Sequence, residues 1–232
     1  MKLGLLECDH VADRFRAIAG DYRDMFPALF ARHAPAVSFR NYDACNGELP
    51  ASIDACDGYL CTGSRFSVYQ ELDWILELKG FVRRLAENDR PFIGICFGHQ
   101  MLAEALGSRV APAVTGWGVG VHPMEVVTRE PWMQPATASI RLQYMHQDQV
   151  AYLPERGVPL GRTDHCPIAM FRVGASMLGI QAHPEFPAPY AEALLRDRRE
   201  RIGNDRVEAA LDGLGAPTDE AVVVSWIAHF LG

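Results

Sequence analysis

The chain contains no Cys-x-x-Cys pair, no long basic cluster, and no apolar run near the roughly 20 residues that a membrane helix needs. Each absence removes a class of protein. Without paired cysteines, and with histidines off finger-type spacing, a structural zinc site has no support, and no metal or other cofactor is expected. The basic residues, mostly arginine, are scattered over a chain of formal net charge −7, which argues against a nucleic-acid partner. The start "MKLGLLECDHVADR" turns acidic before a secretory apolar segment could be completed, so a cytoplasmic location and no membrane contact are expected. In such a reducing compartment the six cysteines are expected as free thiols. The chain also lacks a G-x-x-x-x-G-K-[ST] phosphate loop, a linker, an internal repeat and a low-complexity tract.

What is present reads as one globular domain spanning residues 1–232, with 49% hydrophobic and 22% charged side chains. "KLGLLEC" is β-type, and apolar residues recur at helical spacing from about Val11 to His33. "AVSFRNY" and "GYLCTGS" follow as strands. In "YQELDWILELKGFVRRLAEN", Leu72, Ile75, Leu76, Phe81, Val82 and Leu85 mark an amphipathic helix face. The run "PFIGIC" is apolar throughout, as a strand covered on both faces would be. This alternation predicts an α/β three-layer sandwich with a mostly parallel central sheet. Between about Arg109 and Met177, β-type pieces separated by Pro and Gly turns predict a small antiparallel elaboration. The tail from Tyr190 to Gly232 has helical spacing broken at "LGAPTDE".

The stretch "FIGICFGHQML", residues 92–102, sets a cysteine where a buried strand runs into a helix. "Gly94-Ile95-Cys96-Phe97-Gly98" has the G-x-S-x-G spacing of a nucleophile elbow, with cysteine at the centre. A helix N-terminus there favours thiolate over thiol. The alternative is a core cysteine of ordinary packing, the reading given to Cys8, Cys45, Cys56, Cys61 and Cys166. A thiol nucleophile needs a base, and "Gln181-Ala182-His183-Pro184-Glu185" supplies one: residues two apart in extended backbone project to one side, so Glu185 can orient His183. By itself H-P-E is a turn closing a strand, and gains specificity only beside the elbow.

Together these residues resemble the class I, or triad, glutamine amidotransferases. "GICFGHQ" is similar to that family's nucleophile motif, "AHPE" to its histidine–glutamate motif, and "LCTGS" to its oxyanion loop. The start of the chain resembles a free-standing subgroup likened to the amidotransferase domain of GMP synthase. The resemblance implies a flavodoxin-like fold, a triad of Cys96, His183 and Glu185, and an oxyanion hole from the backbone N–H groups of Gly63 and Phe97. It further implies substrate contacts at Gln100, His146 and Asp148. The last two belong to "Tyr144-Met145-His146-Gln147-Asp148-Gln149-Val150", which departs from the family pattern at its serine position. His146 and Asp148 equally admit a structural reading as loop-capping residues. A metal site combining them with His183 and Glu185 would leave the elbow cysteine without a task. His99 reads as structural, and "GWGVGVH" around Trp117 as packing or a turn.

Three functions compete at this point. The first is a glutaminase that hydrolyses the glutamine side-chain amide to glutamate and ammonia, for a separate acceptor protein. The second keeps the triad and hydrolyses a γ-glutamyl peptide or conjugate, again a small-molecule substrate. The third, of another class, is a non-catalytic binding or regulatory module with the same fold.

Overall fold

The computed structural model describes residues 1–232. Its strands are β1 (Lys2–Leu6), β2 (Ser38–Tyr42), β3 (Gly58–Cys61), β4 (Phe92–Ile95), β5 (Val110–Pro112), β6 (Gly118–Val126), β7 (Ser139–His146), β8 (Asp148–Val150), β9 (Gly157–Arg162), β10 (Met170–Val173) and β11 (Met177–Ile180). The helices are α1 (Asp13–Ala19), α2 (Tyr22–His33), α3 (Asp73–Glu87), α4 (Phe97–Ala105), α5 (Ala188–Asp197), α6 (Arg199–Ile202), α7 (Asn204–Gly213) and α8 (Glu220–Leu231).

Nine strands form one mixed sheet in the order β2-β1-β3-β4-β11-β10-β9-β6-β7. The five from β2 to β11 run parallel, and β10, β9, β6 and β7 continue the sheet by antiparallel pairing. The antiparallel pieces therefore extend the main sheet, with β5 and β8 paired apart from it. Parallel strands need both faces covered, and β3, β4 and β11 are buried at every residue. Alternate side chains supply two cores: Leu5, Ile93 and Ile95 face the cluster shared with α2, α5, α7 and α8, whereas Leu6 and Phe92 face the cluster shared with α3 and α4. These are the three layers of the α/β sandwich, with the sheet in the middle.

Two local expectations are corrected. The helical stretch from Val11 to His33 is two helices, because Gly20 turns at φ 76° and Asp21 starts α2 with a capping box closed by Asp24. In α3 the buried face is Ile75, Leu78, Phe81, Val82 and Leu85, while Leu72 and Leu76 are exposed. The apolar stripe is rotated toward Leu78, and Leu72 is the residue before the helix rather than part of its face.

Candidate active site

At the carboxyl ends of the parallel strands the chain leaves β4, reverses at Cys96 and enters α4 at Phe97. Cys96 has φ 50° and ψ −96°, a region that a residue with a β-carbon rarely adopts. Its N–H donates to Ile180 O at 2.8 Å, which ties the turn to the end of β11. The neighbouring glycines are there for close approach. A β-carbon on Gly94 would lie 2.2 Å from Gly98 O, and one on Gly98 would lie 2.4 Å from Cys61 O. The helix thus starts hard against β4 and β3, with its N-terminal dipole directed at the sulfur.

β11 continues through Gln181 into the loop holding His183 and Glu185, both buried. His183 N–H donates to Gln143 O on β7 at 2.8 Å, and its ring nitrogen Nδ1 lies 2.8 Å from Glu185 Oε1. Phe186 stacks on the imidazole at 3.9 Å and 9° between planes, and Tyr190 meets Phe186 edge-on at 4.9 Å. The ring plane is therefore held by a carboxylate and an aromatic face together. Burial disfavours the imidazolium, but the Cys96 sulfur and the Glu185 carboxylate outweigh it and raise the His183 pKa to about 10. The three residues that the sequence analysis grouped are brought together.

The loop after β3 closes another side. Gly98 N–H donates to Thr62 O at 3.2 Å, and a β-carbon on Gly63 would come within 2.7 Å of His183 Cε1. The N–H groups of Gly63 and Phe97 have no backbone acceptor, and Phe97, as the first residue of α4, has no intrahelical one to use. Ser64 Oγ donates to Cys8 O at 2.8 Å and Arg65 pairs with Asp9 at 3.0 Å, so the chain after β1 braces this loop.

Cys96 lines a cleft with Gln100, His146 and Asp148. Gln100 Nε2 donates to Asp148 O at 2.8 Å and to Gln181 Oε1 at 3.1 Å, so its amide nitrogen is occupied inside the protein. His146 is buried and its Nδ1 donates to Asp148 O at 3.2 Å. Burial, with the neighbouring His165, pushes its pKa down to about 3, so the ring is neutral. The Asp148 carboxylate accepts from Ser67 Oγ at 2.6 Å and from Tyr69 OH at 3.3 Å. His146 and Gln100 thus brace the Asp148 backbone while the carboxylate stands at the cleft. His99 lies in the core, edge-on to Phe171 at 4.9 Å.

Several cleft residues escaped the sequence reading. Trp117, read as packing or a turn, lines the cleft and carries the Arg201 guanidinium over its ring at 5.4 Å. Ser67, Tyr69 and Arg198 line it too. None sits in a short motif; the turn residues after "TGS" were the single available signal for Ser67 and Tyr69.

Three comparisons bear on this arrangement. The family described as "Glutamine amidotransferase class-I" matches residues 57–199. The chain is similar to gamma-glutamyl peptidase 4 of Arabidopsis thaliana, 28% identical over 174 residues that cover 72% of this chain and 68% of that protein. It is also similar to a GMP synthase [glutamine-hydrolyzing] of Porphyromonas gingivalis, 27% identical over 210 residues, covering 80% of this chain but 40% of that protein. Among solved structures, a glutamine amidotransferase from Thermotoga maritima shares the fold, with TM-score 0.76 and 21% identity over 99% of this chain and 96% of the other.

Proposed function

The chain belongs to the class I glutamine amidotransferase family, and from that premise we propose that it hydrolyses a γ-glutamyl amide bond through a thioester on Cys96. One observation carries the reading: His183 is held between the sulfur of a strained strand-to-helix turn and a buried carboxylate. In this reading His183 holds the proton given up by the Cys96 thiol while the sulfur adds to the γ-carbonyl carbon. The oxyanion is met by the N–H groups of Phe97 and Gly63, each worth about 3 kcal/mol of barrier. When the C–N bond breaks, the leaving nitrogen takes the proton from His183. Water, deprotonated in turn by His183, attacks the thioester and releases glutamate, and the proton returns to the sulfur. Glu185 keeps the imidazole in the required tautomer and plane. Asp148 is suited to the α-ammonium of the glutamyl moiety.

Glutamine is the smallest substrate of this chemistry and would yield ammonia. In this reading the ammonia passes to an acceptor protein; the similarity to the GMP synthase covers 40% of that protein. A second reading, hydrolysis of γ-glutamyl peptides, is favoured by the likeness to gamma-glutamyl peptidases. The test is glutamate release from glutamine and from a panel of γ-glutamyl dipeptides. Turnover should vanish in Cys96→Ala and fall by about 10³-fold or more in Glu185→Gln. Hydrolysis that persists unchanged in Cys96→Ala would sink the assignment.

A further inference from the structure

Three guanidiniums line the same cleft as Cys96: Arg65, Arg198 and Arg201. Asp148 is the one carboxylate among the lining residues. Arg65 is already paired with Asp9 at 3.0 Å. Arg198, where α5 meets α6, and Arg201, within α6, have no carboxylate partner, although acids outnumber bases 29 to 22 in the chain. Trp117 sits under Arg201 and leaves the N–H edge of the guanidinium for a ligand, a geometry suited to gripping a carboxylate with two parallel hydrogen bonds.

The charges of glutamine do not balance this cleft. A free glutamyl group brings one ammonium, matched by Asp148, and one α-carboxylate, matched by one guanidinium. The other guanidinium is left over. We propose that the cleft selects γ-glutamyl compounds whose leaving amine itself carries a carboxylate, as the amino group of an amino acid or peptide does, with Arg198 and Arg201 receiving the two carboxylates. The proposal rests on the hydrolytic reading above and narrows its substrate class: the bond cleaved joins the γ-carbonyl to an amino acid nitrogen, and the products are glutamate and a free amino acid or peptide.

A matched pair of substrates tests this, γ-glutamylglycine against γ-glutamylglycinamide, which differ by one negative charge on the leaving group. Arg198 is half-buried and Arg201 exposed, so a charge pair here is worth about fivefold, and kcat/KM should favour the acid by about that factor. In the double variant Arg198→Gln/Arg201→Gln the preference should shrink to about twofold or less, whereas Arg201→Lys should keep part of it; circular dichroism verifies that each variant folds. Equal kcat/KM for the two substrates in the wild type overturns the selectivity and leaves the hydrolase reading standing. If neither is turned over, the hydrolase reading fails, and calorimetric binding to Cys96→Ala decides the selectivity separately. Tighter binding of the acid by about fivefold supports it; equal binding, or none, overturns it.

Discussion

At the scale of the residue, Cys96 pays a conformational cost for its position. A non-glycine residue at φ 50° and ψ −96° stores on the order of 1–3 kcal/mol, and its surroundings hold it there: the Ile180 carbonyl on its N–H and the tight contact between Gly94 and Gly98. Glycine carries no such penalty, so Cys96→Gly should be more stable than Cys96→Ala by roughly 1 kcal/mol although both lack the thiol. Urea unfolding of the two variants measures the difference, and a Cys96→Gly protein less stable than Cys96→Ala would show that the turn is relaxed. The elbow was legible because its constraints are local: glycine two residues either side of a cysteine, after an apolar strand. The ring support from Phe186 lay beside the motif, but nothing in "HPEF" tells a stacked phenylalanine from a core one.

At the scale of the element, the junction of β4 and α4 depends on missing side chains. A β-carbon at Gly94 would strike the Gly98 carbonyl at 2.2 Å, backbone against backbone, with no flexible group to move aside. Gly94→Ala should therefore cost about 3 kcal/mol or more, or prevent soluble expression. Gly107 has φ 89°, and a β-carbon added there would meet nothing within 4 Å, so Gly107→Ala should cost only about 1 kcal/mol. Thermal melts of the two variants should differ by several degrees in that order; similar melting temperatures would contradict the close-approach account. Much of the sheet could be read from the sequence, since β1, β3, β4 and β11 are short apolar runs. The buried face of α3 departs from the sequence expectation because Leu72, Leu76 and Leu78 look alike to a periodicity argument, and only packing selects Leu78. The wall of the cleft was out of reach for a related reason. Asp148 meets Ser67, and Arg201 meets Trp117, across 81 residues and a comparable span, so their contacts exist only after the strands have paired.

At the scale of the whole molecule, two histidines link the core to pH. Burial pushes the pKa of His99 down to about 4, and burial with His165 pushes His146 down to about 3. Both stay neutral when folded, while in the unfolded chain they take up protons below about pH 6.5. The unfolded state then binds more protons, so these groups subtract stability as pH falls from about 6.5 toward their folded values and subtract nothing above it. Each contributes up to about 1.4 kcal/mol per pH unit in that window. Unfolding free energies at pH 7, 6 and 5 should fall more steeply for the wild type than for His146→Gln, and equal slopes would refute the assignment. The bond from Cys96 N–H to Ile180 O carries a last consequence, for biosynthesis. The elbow leaves the ribosome over eighty residues ahead of His183, and β11, which brings that histidine, inserts between β4 and β10 rather than adding at an edge. A nascent or truncated chain therefore displays the Cys96 thiol without His183 beside it, and a change in the rate at which an alkylating reagent modifies Cys96 would mark the moment at which the central sheet closes.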